Sequence, residues 1–262
     1  MVQAQVLNVL QGLVKELNVG MVFISHDLSV LSSTCDRIAV MYAGKIVEQG
    51  PVEKVYTQPE HHYTRALLAA QPKGMAPPLN PDAPVVVKTD DLKVWFPVKR
   101  GVLRKTVGHI KAVDGVSVEV RKGETLGVVG ESGSGKTTLG LAILRLISSN
   151  GPIVFMGKNV QGLRFKDMRP HRRHMQIVFQ DPYGSLSPRM SVSDIIEEGL
   201  GVHAPQMSES ERDAKVIQAL KDVGLDPETR FRYPHEFSGG ERQRIAIARA
   251  IVLEPEFVVL EI

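Results

Sequence analysis

Gly130-Glu131-Ser132-Gly133-Ser134-Gly135-Lys136-Thr137 is the stretch that decides how this chain folds. Before it stands Thr125-Leu126-Gly127-Val128-Val129, an apolar, β-rich run that predicts a buried strand. After it, from Lys136 to Leu146, apolar residues recur at helical spacing. Strand, glycine-rich loop and helix is the setting in which G-x-x-x-x-G-K-T forms a phosphate-binding loop. The glycines let successive backbone N–H groups turn inward around the β- and γ-phosphates of a nucleotide, and the helix N-terminus adds partial positive charge. Lys136 supplies a mobile point charge for the outer phosphates, and the Thr137 hydroxyl suits Mg²⁺. The plainer alternative is a Gly/Ser-rich turn with an incidental lysine, and both flanks argue against it.

Composition narrows the class. The 262 residues suffice for one large domain or two small ones with a substantial core. A hydrophobic content of 43% and a charged content of 23% are ordinary for a water-soluble domain. A net charge of +3 does not by itself argue for nucleic acid. The lone Cys35 excludes an intramolecular disulfide and any cysteine-built zinc or iron–sulfur site, and fits a reducing compartment. No apolar run reaches the roughly 18–20 residues of a membrane span. The amphipathic N-terminus lacks a basic-then-apolar signal pattern. A cytosolic chain is expected, with membrane contact made through a partner.

Along the chain, Val6, Leu10, Leu13, Val14 and Leu17 define one face of a helix over residues 2–17. Met21 to Ile24 predicts a short buried strand ending at Ser25-His26-Asp27. Ile38 to Met41 and Lys45 to Glu48 predict a hairpin around Tyr42-Ala43-Gly44. A helical tail follows, to about Ala70. Residues 72–84 hold five prolines among thirteen positions, which predicts a semi-extended linker. Val94-Trp95-Phe96, Val116 to Val120, Met175 to Phe179 and Phe257 to Leu260 read as strands. Residues 191–223 read as helical, with Ser208 and Glu211 as a capping box, and Gly240 to Val252 as a further helix. This alternation predicts a mainly parallel sheet.

A second anion-binding helix start lies at Phe237-Ser238-Gly239-Gly240-Glu241-Arg242-Gln243-Arg244, ahead of I-A-I-A-R-A. With the phosphate loop it resembles the signature sequence of ABC-transporter nucleotide-binding domains. The strand ending F-Q-D-P resembles that family's Q-loop, and Ser25-His26-Asp27 its switch-histidine loop. The run from Phe96-Pro97 through the loop, Q-D-P-Y-G-S-L-S-P-R and R-Y-P-H-E-F-S-G-G resemble the oligopeptide/dipeptide importer ATPases, and within them the tandem-domain microcin C-type peptide importers. Pro59-Glu60-His61-His62-Tyr63-Thr64-Arg65 resembles that group's C-terminal P-x-H-P-Y-T element, with His62 in place of proline. A metal site at His61 and His62 is not expected, because no carboxylate or thiol cluster accompanies them.

The resemblance implies an α/β P-loop NTPase fold of ABC type, with a RecA-like parallel core, an antiparallel β-subdomain and a helical signature subdomain. It implies ATP and Mg²⁺ as ligands. Phe96 would stack on adenine, although a plain core aromatic remains open because Trp95 competes for the role. Gly130, Ser132, Gly133, Gly135, Lys136, Thr137 and Thr138 would hold phosphates, with Thr137 and Gln180 on Mg²⁺. His26 would meet the γ-phosphate. Ser238, Gly239 and Gly240 would act in trans on nucleotide held by a facing domain. The implied partners are that second domain, two transmembrane permease subunits and, indirectly, an external solute-binding protein; no nucleic acid is expected. The implied location is peripheral, at the cytoplasmic face of the inner membrane.

Two departures from the family pattern shape the remaining expectations. Glu261 occupies the slot of the Mg²⁺-linked Asp and Ile262 that of the general base. Isoleucine cannot orient or deprotonate a water, so slow turnover or a nucleotide-binding fragment without turnover is expected. The motif order is also unusual, since the switch histidine precedes the phosphate loop. Residues 1–72 resemble the end of one such domain, 73–87 a linker and 88–262 the beginning of the next. A fragment of a tandem protein is therefore expected, its pieces docked in circularly permuted order with Met21 to Ile24 beside Val128.

Overall fold

The computed structural model describes residues 2–25, 28–70, 78–101 and 104–261. The chain divides into two units, Met1–Leu79 and Asn80–Ile262. Residues 72–77 of the Pro-rich run, together with His26 and Ile262, lie outside the described residues.

In the first unit the predicted N-terminal helix is α1 (Val2–Leu17), with Leu13 and Leu17 exposed. After α2 (Leu28–Thr34) come β1 (Arg37–Tyr42) and β2 (Lys45–Pro51), paired antiparallel with Tyr42 opposite Lys45. The two turn residues, Ala43 and Gly44, take φ of 48° and 76°, the left-handed pair that a two-residue hairpin demands. Then follow α3 (Val52–Thr57) and α4 (His62–Ala69), the latter capped by His61, whose Nδ1 accepts from the Tyr63 N–H at 3.1 Å. Leu31, Ile38, Val40 and Val55 form the small core that joins α2, the hairpin and α3. Met21 to Ile24 does not form the expected strand. Val22 and Ile24 are 90% and 92% exposed.

The second unit begins with β3 (Val85–Thr89), β4 (Leu92–Arg100), β5 (Lys105–Val116) and β6 (Glu119–Arg121). Helix α5 (Lys136–Ile143) precedes β7 (Ile153–Phe155), β8 (Lys158–Asn159) and α6 (Phe165–Arg172). Then come β9 (Met175–Val178), α7 (Pro182–Ser185), α8 (Val192–His203), α9 (Glu209–Asp222), α10 (Gly239–Ile251) and β10 (Phe257–Leu260). The strands form an antiparallel sheet of order β6-β3-β7-β8, an antiparallel hairpin β4-β5, and a parallel pair β9-β10. One core gathers Val87, Leu92, Ala142, Leu144, Ile153 and Phe155 under α5. A second, among α8, α9 and α10, is built on Ile196, Val216, Leu220 and Ile245.

Two sequence expectations need correction here. Among the described residues only β9 and β10 pair in parallel, so the sheet is not mainly parallel. Thr125 to Val129 is not a strand either, and Val129 is 94% exposed. The reason is common to both of the missing strands. An extended run becomes a strand only when a neighbour accepts and donates its ladder bonds, and neither run has one. Circular permutation, which rested on the pairing of these two runs, is not shown.

The helical lobe is fixed locally by its caps. Ser191, Ser208 and Ser238 each close a reciprocal capping box, with Asp194, Glu211 and Glu241 respectively. Hydrogen bonds from the Ser208 and Ser238 hydroxyls, then from their backbone N–H groups, hold the Glu211 and Glu241 carboxyls below the usual carboxylate range. A depressed folded-state pKa contributes stability that is complete above the ordinary carboxylate pKa and is lost as pH falls through the depressed value. Circular dichroism should therefore show acid fraying of α9 and α10 in that window. In the double variant Glu211→Gln/Glu241→Gln this acid-dependent loss should be much reduced.

Candidate nucleotide-binding site

Because no strand lies beneath it, the phosphate loop is held from the side. Gly135, at φ 94°, is the N-cap of α5, and a β-carbon built there would stand 2.0 Å from the Ala112 carbonyl oxygen on β5. Only glycine allows the loop this close to the strand. At the other end of the loop, a β-carbon on Gly130 would meet the Ser134 hydroxyl at 2.7 Å. The Lys136 ammonium folds back across the loop and donates to the carbonyls of Gly130 at 2.8 Å and Glu131 at 2.7 Å. The hydroxyls of Ser132, Thr137 and Thr138 make no hydrogen bond among the described residues. The result is a backbone cradle at a helix N-terminus, with one cation over it and side-chain hydroxyls to spare. That donor set fits the phosphates of a nucleotide.

Packing then brings two further candidates to the same layer. Gly140 on α5 approaches β10 so closely that its β-carbon would lie 3.0 Å from Val259 Cγ1. The helix that begins at Lys136 is thus laid against β10, the strand that Glu261 follows. β10 pairs in register with β9, Leu260 opposite Val178, and the Glu261 N–H donates to the Val178 carbonyl at 3.0 Å. Gln180, two residues beyond β9, and Glu261 therefore leave the same end of one parallel pair. Glu261 Oε1 is buried with no hydrogen-bond partner among the described residues, a carboxylate oxygen whose burial calls for a cation or a donor. No cluster of three or more His, Cys, Asp or Glu among the described residues is placed to hold a metal alone. A Mg²⁺ held by phosphates plus one or two protein oxygens fits this arrangement.

The aromatic alternatives on β4 separate. Trp95 is engaged: its Nε1 donates to Asp114 at 2.9 Å, and the Lys111 ammonium sits 4.4 Å from its ring centre. Phe96 is exposed, stands opposite Ile110, and belongs to the hairpin whose Ala112 touches the loop at Gly135. Of the two rings, Phe96 is the one free to stack. Ser238, Gly239 and Gly240 open α10 with Ser238 and Gly240 exposed, as surface residues facing a second molecule would be. The Ser238 hydroxyl is already engaged with Glu241 Oε2 at 2.6 Å.

Sequence reasoning missed the connection between the segment after Gln180 and the signature helix. Asp181 caps α7 by accepting from the Tyr183 N–H at 2.8 Å. The Arg242 guanidinium lies 4.1 Å over the Tyr183 ring, and Arg249 donates to the Ser185 carbonyl at 2.6 Å. Phe179, Asp181, Gly184, Ser185 and Arg249 line a cleft of about 420 Å³ beside Gln180. Burial pushes the Arg249 pKa down, with Glu198 opposing the shift. The available signal was two arginines seven positions apart in α10, hence on one helical face.

Comparison with known proteins follows from this geometry. The family model described as ABC transporter matches residues 113–261. The peptidoglycan transport ATP-binding protein YejF of Agrobacterium fabrum is 58% identical over 260 residues, 99% of this chain and 48% of that protein. The glutathione import ATP-binding protein GsiA of Escherichia coli K12 is 42% identical over 287 residues, 99% of this chain and 46% of that one. The chain thus spans about half the length of the curated relatives it matches. Among solved structures, the ATP-binding cassette MJ0796, a dimer bound to ADP and Pi in a post-hydrolysis state, gives a TM-score of 0.59 at 27% identity over 66% of this chain and 72% of that one.

The close approach at Gly135 generates a direct test. Gly135→Ala should displace the loop from β5 and weaken fluorescent ATP-analogue binding at least tenfold, as expected when a phosphate cradle is forced open. A titration beside a thermal melt would check that the loss is local to the loop.

Proposed function

Because this chain belongs to the ABC transporter family, we propose that it is an ATP-binding subunit segment that powers import of peptide-like solutes. The observation that carries the proposal is the glycine-lined cradle from Gly130 to Thr138 with Lys136 folded across it. Phosphoryl transfer is mainly positioning and charge neutralisation, and those are what the cradle supplies. The backbone N–H groups and Lys136 hold the β- and γ-phosphates, and Phe96 stacks on adenine. Thr137 and Gln180 serve Mg²⁺, with Glu261 reaching its water shell. Bound Mg²⁺ would neutralise charge on the phosphate oxygens. His26, the remaining candidate, lies outside the described residues.

The exposed start of α10 suits a site shared between two cassettes, with Ser238, Gly239 and Gly240 meeting nucleotide on the facing domain. A dimer is the assembly named for the MJ0796 cassette. Two permease subunits would receive the stroke at the cytoplasmic membrane face, fed by a solute-binding protein. No helix among the described residues is long and apolar enough to cross a membrane. Import of peptide-like solutes is supported by the names of the relatives, peptidoglycan transport in one and glutathione import in the other. That the chain holds the end of one cassette and the start of the next is supported by its alignment, over 99% of its length, with half of a protein twice as long.

Titration with a fluorescent ATP analogue in the presence of Mg²⁺ tests the core of this proposal. The parent chain should bind. Lys136→Ala should cost about 2–4 kcal/mol, the range for removing one partner of a desolvated charged contact, or roughly thirtyfold to a thousandfold in affinity. Equal affinities in the two proteins would overturn the nucleotide site.

A further inference from the structure

We propose that the β4-β5 hairpin is a second contact surface, one that docks directly on an anionic lipid bilayer. From Leu92 to Val113 the chain carries six Lys and Arg and no Asp or Glu, against a net charge of +3 for the whole protein. The excess charge of the molecule is thus concentrated on one element. The two cations toward its base are already neutralised, Lys93 by Asp91 at 2.6 Å and Lys111 by Asp114 at 3.2 Å. Lys99, Arg100, Arg104 and Lys105 at the outer end form no ion pair among the described residues.

The hairpin is a sheet of two strands, and every residue from Trp95 to Arg100 and from Lys105 to Lys111 is exposed. A two-stranded ribbon is marginal in water by itself, so a surface that covers it would stabilise it. Pairing places Phe96 opposite Ile110, Val98 opposite Gly108 and Arg100 opposite Lys105, so the core stripe of Val94 and Val113 continues outward and ends in cations. The register shifts between Val98 and Lys99, which leaves Val107 as the extra residue of a bulge. Val98, Val107 and Ile110 are 37%, 60% and 62% exposed. Aliphatic side chains set among unpaired cations match a headgroup layer, where charge meets lipid phosphate and the methyls enter the acyl boundary. Nucleic acid is the less suitable partner, because the exposed hydrophobic side chains beside the outer cations are Val98 and Val107, and Trp95 is covered by Lys111.

This surface does not depend on the nucleotide site, and vesicles without protein keep the two tests apart. The parent chain should float with vesicles of equal parts phosphatidylglycerol and phosphatidylcholine, but not with phosphatidylcholine alone, and raised salt should release it. Each cation near an anionic surface adds about fivefold to partitioning, so Lys99→Gln/Arg100→Gln/Arg104→Gln/Lys105→Gln should lose about two to three orders of magnitude. The charge-conserving Lys99→Arg/Lys105→Arg should float like the parent, and Val107→Ser should float less well. The idea fails if the parent ignores anionic vesicles or if the four-glutamine variant floats equally well. It fails also if duplex DNA of matched charge strips the parent from the vesicles at the same salt.

Discussion

The contact between Gly135 and the Ala112 carbonyl is the constraint on which the rest of the candidate site depends. The loop has no strand below it among the described residues, so its position relative to the domain is set from β5 and through α5. From that one approach the other placements follow. Helix α5 starts at the cradle, packs Gly140 on Val259, and so lies along the parallel pair whose far end carries Glu261. The same contact joins the cradle to the hairpin that presents Phe96. A side chain at Gly135 would disturb the approach of the loop to β5 and, through α5, the packing of Gly140 on Val259.

What was legible in the sequence was local. The Ser208–Glu211 capping box, the hairpin around Tyr42-Ala43-Gly44 and the helical periods of α1 and α10 all use information within a few residues, and each was found where its pattern placed it, whereas the helical run over residues 191–223 divides into α8 and α9. The Gly-Lys-Thr cradle was equally legible, because its glycine spacing is its geometry. Met21 to Ile24 and Thr125 to Val129 were misread for the opposite reason. Their composition is that of buried strands, but a strand is a relation between two segments, and composition carries no record of whether a partner is there. The parallel β9-β10 pair formed because each strand supplies the other's ladder bonds.

The connection between α7 and α10 shows a different limit. Motif reading stops at the residues that touch nucleotide, Gln180 on one side and Ser238 on the other. The groups that tie those segments together, Tyr183, Arg242 and Arg249, carry no motif of their own. They are nevertheless costly to place. Arg249 is held against its own desolvation, with its proton made easier to lose, in order to donate to one backbone carbonyl. The two guanidinium contacts tie α7, which begins two residues after Gln180, to α10.

The distribution of charge separates the uses of this unit. Positive charge at the cradle is scarce and aimed, a single ammonium and a helix end, as suits a ligand that must be oriented. On the hairpin it is plentiful and loosely held, as suits a broad surface read by proximity alone. Glu261 supplies the complement to the first: its buried Oε1 has no donor among the described residues, and a cation arriving with the ligand would satisfy it. On the proposed reading the candidate site carries a cost in the free state that bound Mg-nucleotide would offset, while the hairpin carries almost none, because its cations outside ion pairs are exposed. Selectivity belongs to the first arrangement and reversibility to the second.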